Sequence, residues 1–473
     1  MDHRQGLRMT ESPSRSLSEW LADNGAAIGL LKVNELVRPN TFEATSILHQ
    51  LETSHGAPPV LFSRVANLAG DEAAARMLFN TYSRRAGVSA ALGLTTNSWE
   101  DLLEAIPARS NDLRAPHQSD AAPVQTSVVR GADVRLSTLP WTRHVEMEGG
   151  SYFTPILAAR QPGSERYNLS WNRVMYLDET HAGVHISPRQ LWAFQRASEE
   201  AGEDLPVAIV LGHHPAFNLA AAALTGISVD EYHVAGALMG RPLEVTPSIT
   251  FGRELLVPSE AEIVIEGRIL ASYRVVEGPF GEYMRYLGPQ KLSHVFEADA
   301  ITSRPDPIIL EIFAGYRDHL NAHVSIHASL LTAARAAVPQ VTRLGWFLGG
   351  GPTTAVVALK KTAEGQPMRA ALALLSASNL IKQVIVVDDD IDVFDSQQVM
   401  WAISTRVRAG EDLTVLKGLQ GSLLDPSHPG FGTTSGFVID ATWRLDAPRP
   451  MVARVPTEAI EAFPLDRYSI EEA

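Results

Sequence analysis

The sequence predicts a multidomain chain of the α+β and α/β classes, with a mixed N-terminal region, a central β-rich sheet or barrel and a C-terminal α/β layer. Three observations predict it. Short apolar runs separated by turn residues crowd the middle of the chain. Strand and helix patterns alternate from about residue 325. A polar stretch, PARSNDLRAPHQSDAAPVQ (residues 107–125), separates the first region from the second. A length of 473 residues suits two to four domains and ample core.

Residues 1–16 form a polar leader without a signal peptide's apolar core. SLSEWLADNG (16–25) reads as a helix, with serines to cap it and Asn24-Gly25 to end it. TFEATSILHQLE (41–52) has helical spacing, and PPVLFSRV (58–65) reads as a strand. DEAAARMLFNTYSRRAGV (71–88) and SWEDLLEAI (98–106) read as further helices. Strand-like runs follow at TSVVRGADVRL, YFTPILAARQ, RYNLSWNRVMYL, LPVAIVLG, PLEVTPSIT, ELLVPSEAEIVIEGRIL and PIILEIFAG. Helices at SPRQLWAFQRASEEAG and DEYHVAGALMG interrupt them. Further on, HASLLTAARAAV, MRAALALLSAS and SQQVMWAISTRV read as helices, and TTAVVALKK and IKQVIVVDDD as strands. The amphipathic end, TEAIEAFPLDRYSIEEA, is of the kind that packs on a neighbouring subunit or frays.

A net charge of −14 argues against nonspecific nucleic-acid binding, which needs a basic face. The chain has no cysteine. That excludes disulfides, thiolate nucleophiles, thiolate-held zinc and cysteine-held iron–sulfur clusters, and makes the cytoplasm the default location. No apolar run reaches membrane-spanning length.

The most pointed local feature is EGPFGEY, where Glu277 and Glu282 bracket Gly-Pro-Phe-Gly. It is either a surface turn with two solvated acids or a stiff turn that aims two carboxylates into one site. In YNLSWNRVMY, Asn168 and Arg173 lie five residues apart, so a strand would put them on opposite faces. Serving one site would require a local bend. Arg173 is a permanent cation suited to carboxylate or phosphate, or else one half of a surface pair. Asp230 and Glu231 open a helix, where acids complement the dipole or ligate a hard cation. His181, His185 and Gln190 cluster in sequence, as do His213 and His214, without zinc-site spacing. The five acids from Asp388 to Asp395 lack the glycine and glutamate of an EF-hand and read as helix caps. FLGGGPTTAV lacks the Lys-Ser/Thr of a P-loop and reads as a tight turn.

In this order, NLSWNR (168–173), DEYHVAGALMG (230–240), ELLVPSEAEIVIEG (254–267), EGPFGEY (277–283), VIVVDDDIDVFD and FVIDATW together resemble the UbiD family of decarboxylases, over roughly residues 55–450. The resemblance implies an N-terminal α/β region over 1–120 and a split β-barrel-like flavin-binding domain over 121–315. It further implies a C-terminal α/β oligomerisation domain over 316–450 and a helical tail over 451–473. It implies prenylated FMN as cofactor and a Glu–Arg–Glu network of Glu277, Arg173 and Glu282, with Glu282 as proton donor and Glu277 ionised against Arg173. Asn168, Gln190 and Glu231 match the ligands of a Mn²⁺ or Mg²⁺ that anchors the cofactor phosphate. Relatives often have His where Gln190 stands, and His185 is the reserve ligand. Ser170 and Trp171 join Asn168, Arg173, Gln190 and Glu231 around the cofactor, with K⁺ nearby. Relatives often carry a cofactor-contacting Lys shortly before IDAT, where this chain has Gly436.

The implied reaction is reversible, non-oxidative decarboxylation of an aromatic or heteroaromatic acid of the indole-, pyrrole- or phenazine-carboxylate type. Loss of CO₂ from an sp² carbon needs an electron sink that no side chain supplies. A cinnamate-type α,β-unsaturated acid is the alternative; a flavin-dependent reductase, a metal-dependent hydrolase and a non-enzymatic scaffold are further ones. His319, His323 and His327 fall at the expected substrate pocket, or are structural. The implied partners are the small acid and CO₂, a flavin prenyltransferase as cofactor supplier, and copies of the chain in a homodimer or homohexamer.

Overall fold

A computed structural model of the chain describes residues 14–468, Asn97 and Ile227 excepted. Residues 1–13 of the expected leader lie outside the described residues. Its end is not loose: Ser16 is buried and its Oγ accepts from Glu19 N, capping the helix Leu17–Asn24.

A four-stranded sheet follows, in the order Leu31–Val37, Val60–Val65, Arg76–Phe79, Ile308–Leu310. Two expectations change here. The segment 71–88 is not one helix: Arg76–Phe79 is a strand, and the helix Arg85–Ala91 begins later. Its alanines and arginines favour a helix, but Met77, Leu78 and Phe79 are fully buried between the strands Val60–Val65 and Ile308–Leu310, and that packing prevails. The polar stretch also starts late, because the helix Trp99–Ser110 runs through Pro107. The strand Ile308–Leu310 pairs with Arg76–Phe79, so PIILEIFAG returns the chain to the N-terminal sheet.

The central sheet has nine antiparallel strands. Its path runs Tyr152–Phe153, Val174–Tyr176, His181–Val184, Lys291–Ser303, Ile263–Glu277, Leu205–Leu211, Ile156–Arg160, Tyr167–Trp171, with Ser127–Arg130 beside Lys291–Ser303. The chain crosses between the two ends of this path twice, through Thr154-Pro155 and through Asn172-Arg173. Two residues reach only about 10 Å, so the ends lie close and the sheet curls into a half-barrel. The Asn172 N–H donates to Pro155 O at 3.2 Å across the split.

The C-terminal layer is a five-stranded sheet in the order Val341–Gly345, Thr354–Leu359, Gln383–Asp388, Thr434–Ala441, Leu413–Leu419. The helices Val324–Ala337, Gln366–Ala377 and Ser396–Arg406 fall where the sequence placed them. The acidic run does cap and pair: Asp395 accepts from Gln397 N and Gln398 N, while Asp388 and Asp390 hold Arg406. Among the described residues the tail is helical over Thr457–Ala462 and, as a short 3-10 turn, over Leu465–Arg467, and Ile460, Phe463 and Leu465 on it are exposed. Residues 469–473 lie outside the described residues. Among the described residues no helix is long and apolar enough to cross a membrane.

Candidate active site

The long strand Ile263–Glu277 ends on the first acid. Gly278 then takes φ +90, a conformation that side chains resist, and Phe280–Gly281 pairs back against Leu287–Gly288. This short hairpin projects Glu282. Arg173 reaches both acids from the split, just after the strand Tyr167–Trp171 has ended. The strand break supplies the bend that the odd Asn168–Arg173 spacing requires.

Arg173 Nε donates to Glu277 Oε1 at 2.8 Å and its NH2 to Glu277 Oε2 at 2.9 Å, while NH1 donates to Glu282 Oε1. Glu277 is fully buried and also accepts from Ser293 Oγ. The Glu282 side chain keeps 13% exposure, enough to meet a small molecule. Burial pushes the Glu282 carboxyl above its ordinary value, against the pull of Arg173 and Lys291. Burial would lower the Arg173 guanidinium, but Glu282 and Glu277 outweigh it and keep it charged. The site needs glycine at 288: a Cβ there would lie 3.0 Å from Glu282 Oε1 and 3.3 Å from Arg173 NH1.

A second cluster gathers Asn168, Gln190 and Glu231. Asn168 Nδ2 donates to Glu231 Oε2 at 2.7 Å and to Gln190 Oε1 at 2.9 Å. Glu231 also accepts from Leu169 N and Thr225 Oγ1. Asp230 takes the capping role, accepting from Tyr232 N, so the neighbouring acid is free to face the cluster. Burial raises the Glu231 carboxyl to about 7. Asn168 Oδ1 is buried with no hydrogen-bond partner. An unpartnered amide oxygen beside a desolvated carboxylate suits a hard divalent cation. Among the described residues no group of three or more His, Asp or Glu has metal-binding geometry; this cluster has one carboxylate, Glu231, with the amides of Asn168 and Gln190 beside it. His185 stands apart from it, with its Nε2 3.1 Å from Lys291 Nζ.

On the strand carrying Asn168, Ser170 Oγ donates to Asn172 Oδ1, and Trp171 Nε1 donates to Thr154 O. Trp171 stacks on His323, with centroids 5.7 Å apart. His319 stacks on Tyr283 at 3.7 Å, and the Tyr283 hydroxyl bonds His323 Nε2. His327 stacks on Trp346 at 3.8 Å. Burial lowers His323 to about 4 and His327 to about 3, and takes His319 well below its ordinary value, so all three are neutral imidazoles near pH 7. His323 and His327 line a cleft with Tyr283, Leu320, Pro352 and Ile381. At Gly436 a Cβ would meet Lys382 O at 2.7 Å and Leu419 Cδ1 at 2.8 Å, so that position has no room for a side chain.

Sequence reasoning missed Lys291, Tyr283 and Ser293. Ser293 and Lys291 sit at the start of Lys291–Ser303, opposite Val275 and Glu277 in register, a relation that only strand pairing creates. His181 pairs with Asp178, and His213 and His214 are buried among packed groups away from both clusters.

Residues 116–317 match the family model of the 3-octaprenyl-4-hydroxybenzoate carboxy-lyase Rift-related domain, and residues 319–441 that of the same family's C-terminal domain. An anhydromevalonate phosphate decarboxylase of Methanothermobacter thermautotrophicus is 34% identical over 316 residues, covering 66% of this chain and 74% of its own. A phenolic acid decarboxylase of Streptomyces sp. is 28% identical over 443 residues, covering 90% and 91%. The UbiD-class enzyme HmfF from Pelotomaculum thermopropionicum, solved with FMN, superposes with a TM-score of 0.89 at 35% identity, over 96% of this chain and all of its own. An evolved dimeric form of it, solved with prFMN, gives 0.85 at 34% identity over the same shares. With the whole half-barrel and the C-terminal layer matched, the chain belongs to the UbiD family of decarboxylases and is a carboxy-lyase.

Proposed function

We propose that the chain catalyses reversible, non-oxidative decarboxylation of an aromatic or heteroaromatic acid of the indole-, pyrrole- or phenazine-carboxylate type, using prenylated FMN. The observation that carries this is the arrangement of one guanidinium between a fully buried acid and a partly exposed one. Relatives solved with FMN and prFMN support the cofactor. Asn168, Gln190 and Glu231 would hold its phosphate through Mn²⁺ or Mg²⁺, and Ser170, Trp171 and Arg173 would flank it. When bound, the flavin would supply the electron sink for departing CO₂.

The chain's own residues then divide the work. Arg173 fixes Glu277 bidentately and presents Glu282. Glu282, whose carboxyl burial raises above its ordinary value, delivers its proton to the substrate carbon after CO₂ leaves, and takes it back in the carboxylation direction. Glu277 balances the Arg173 charge, so the two acids play separate roles. The narrow access to Glu282 limits water at the reacting carbon.

Stacked flat rings at Tyr283, His319, His323 and Trp171 support a planar substrate. The anhydromevalonate phosphate relatives keep an α,β-unsaturated acid as the second reading. The exposed apolar side chains of the tail support assembly as a homodimer or homohexamer.

The test is co-expression with a flavin prenyltransferase, followed by a screen of indole-, pyrrole-, phenazine- and cinnamate-type acids for CO₂ release. CO₂ from a heteroaromatic acid without nicotinamide consumption is the expected result. Release from cinnamates alone would select the second reading, and nicotinamide oxidation without CO₂ would replace both with a reductase.

A further inference from the structure

Behind the acid-bearing turn lies a buried ionisable cluster that the proposed reaction leaves unused. His144, Glu148 and Glu311 all have side chains with 0% exposure. His144 Nδ1 lies 3.9 Å from Glu148 Oε1, and its Nε2 lies 3.8 Å from Glu311 Oε1. Neither ring nitrogen has a hydrogen-bond partner. The imidazole therefore sits between two carboxylates at ion-pair distance, and other groups fix the carboxylates. Glu311 accepts from Thr154 N, Thr154 Oγ1 and Ile312 N. Glu148 accepts from His144 N at 2.7 Å and, through Oε1, from Gly281 N at 3.3 Å. Gly281 directly precedes Glu282.

The same segment grips the turn at three more points. Gly149 N donates to Pro279 O at 2.9 Å, and Tyr152 Oη donates to the same oxygen at 3.2 Å. The backbones are so close that a Cβ on Gly149 would lie 2.1 Å from Gly278 O. Phe280 is pinned between two groups of the region: its ring lies edge-on to the His144 imidazole at 5.5 Å, and Arg173 Cζ lies over its face at 5.3 Å.

We propose that His144 is a positioning residue: as an imidazolium between Glu148 and Glu311, it holds Glu148 against Gly281 and so fixes the turn that carries Glu282. Without that cation, two buried carboxylates would face one another uncompensated, and the freest adjustment is for Glu148 to release Gly281. Burial alone would lower His144, but the Glu311 and Glu148 carboxylates outweigh it and hold it above its ordinary value. The groups facing it are Glu148 on its own segment, Glu311 after the strand Ile308–Leu310, and His319 on the helix Arg317–Ala322, which is neutral. The clamp is therefore intact below the ordinary imidazole range and loosens as pH rises through the raised value.

The turnover part of the test rests on the role proposed for Glu282, and the exchange part does not. Amide hydrogen exchange of the flavin-loaded protein is followed at residues 280–284 and expressed as protection relative to the free chain. In the wild type, protection is expected to fall at least tenfold between pH 6 and pH 9. In His144→Gln it should already be low at pH 6 and unresponsive to pH, with protection in the helix Val324–Ala337 unchanged. On whichever acid the screen identifies, kcat should fall tenfold or more with KM within about twofold. Wild-type protection and an unaltered pH response in His144→Gln would overturn the proposal. If that variant does not fold, Glu148→Gln decides. It keeps an acceptor for Gly281 but removes the anion whose repulsion loosens the turn, so protection at 280–284 should no longer fall between pH 6 and pH 9, and a wild-type pH response would overturn the proposal.

Discussion

Arg173 engages Glu277 through Nε and NH2 at 2.8 and 2.9 Å, so both carboxylate oxygens are held by one planar group. A lysine ammonium cannot reproduce that fork and also reach Glu282. We expect Arg173→Lys to lower kcat by about 100-fold or more while the protein still folds. Arg173→Ala leaves Glu277 buried without a cation, at a cost on the order of 3–5 kcal/mol. Turnover and thermal melting of the two variants separate the effects. Near-wild-type turnover in Arg173→Lys would show that the fork is dispensable.

The raised carboxyl of Glu282 sets a pH dependence. A proton donor works only while protonated, so activity should be retained below its raised value and decline as pH rises through it. Glu282→Gln should abolish turnover at every pH while flavin absorbance survives gel filtration. A pH–rate profile without an alkaline decline would remove Glu282 as the donor.

The neighbouring cluster makes a separable demand. Glu231→Ala takes away the charged member of the Asn168–Gln190–Glu231 set, while the buried Asn168 Oδ1 stays in place. We expect flavin to be lost on gel filtration and Mn²⁺ binding by titration to weaken at least tenfold. Gln190→His, which adds a ring nitrogen ligand, should retain flavin. Full flavin retention in Glu231→Ala would dissociate these residues from the phosphate.

Much of this site was legible in the sequence because its motifs carry their geometry locally. Gly278 and Gly281 shape the turn between two acids, and Asp230 caps a helix so that Glu231 faces inward. What was not legible depends on distant strands. Met77 and Phe79 read as helix until Ile308–Leu310 supplies the neighbouring strand from more than two hundred residues away. Lys291 reaches the acids only because it stands opposite Glu277 in register. His144 carries no motif at all, since its partners Glu148 and Glu311 are assembled by the fold.

Asp318 offers a stability test away from the reaction. It is fully buried, accepts from Tyr82 N at 2.7 Å and Asn80 N at 3.1 Å, and is raised by burial from 3.8 to about 7. The folded state thus binds this proton more tightly than the unfolded chain does. Its contribution is complete below the unfolded value and is lost as pH rises through about 7, a change on the order of 4 kcal/mol at most. Asp318→Asn cannot accept both N–H groups and should be less stable by about 1–2 kcal/mol near pH 5. Its melting temperature should nevertheless fall less steeply than the wild type's between pH 5 and pH 8. Parallel slopes would assign the wild-type dependence elsewhere.

Gly288 gives the most local test of how tightly the acid pair is packed. A methyl group at 288 would press on Glu282 Cγ and Oε1 at 3.0 Å and on Arg173 NH1 at 3.3 Å. The Glu282 carboxylate cannot swing aside without leaving Arg173, so the methyl acts on the Glu282–Arg173 pair before it acts on the core. We expect Gly288→Ala to lower kcat by about 10- to 100-fold, in line with the cost of displacing a reacting group by a fraction of an ångström. The change in melting temperature should stay within a few degrees, since one methyl at the edge of a cleft costs about 1–2 kcal/mol. Gly349→Ala is the matched control, because a Cβ there meets nothing within 4 Å. Equal turnover in the two variants would mean that Glu282 has more room than the packing around it allows.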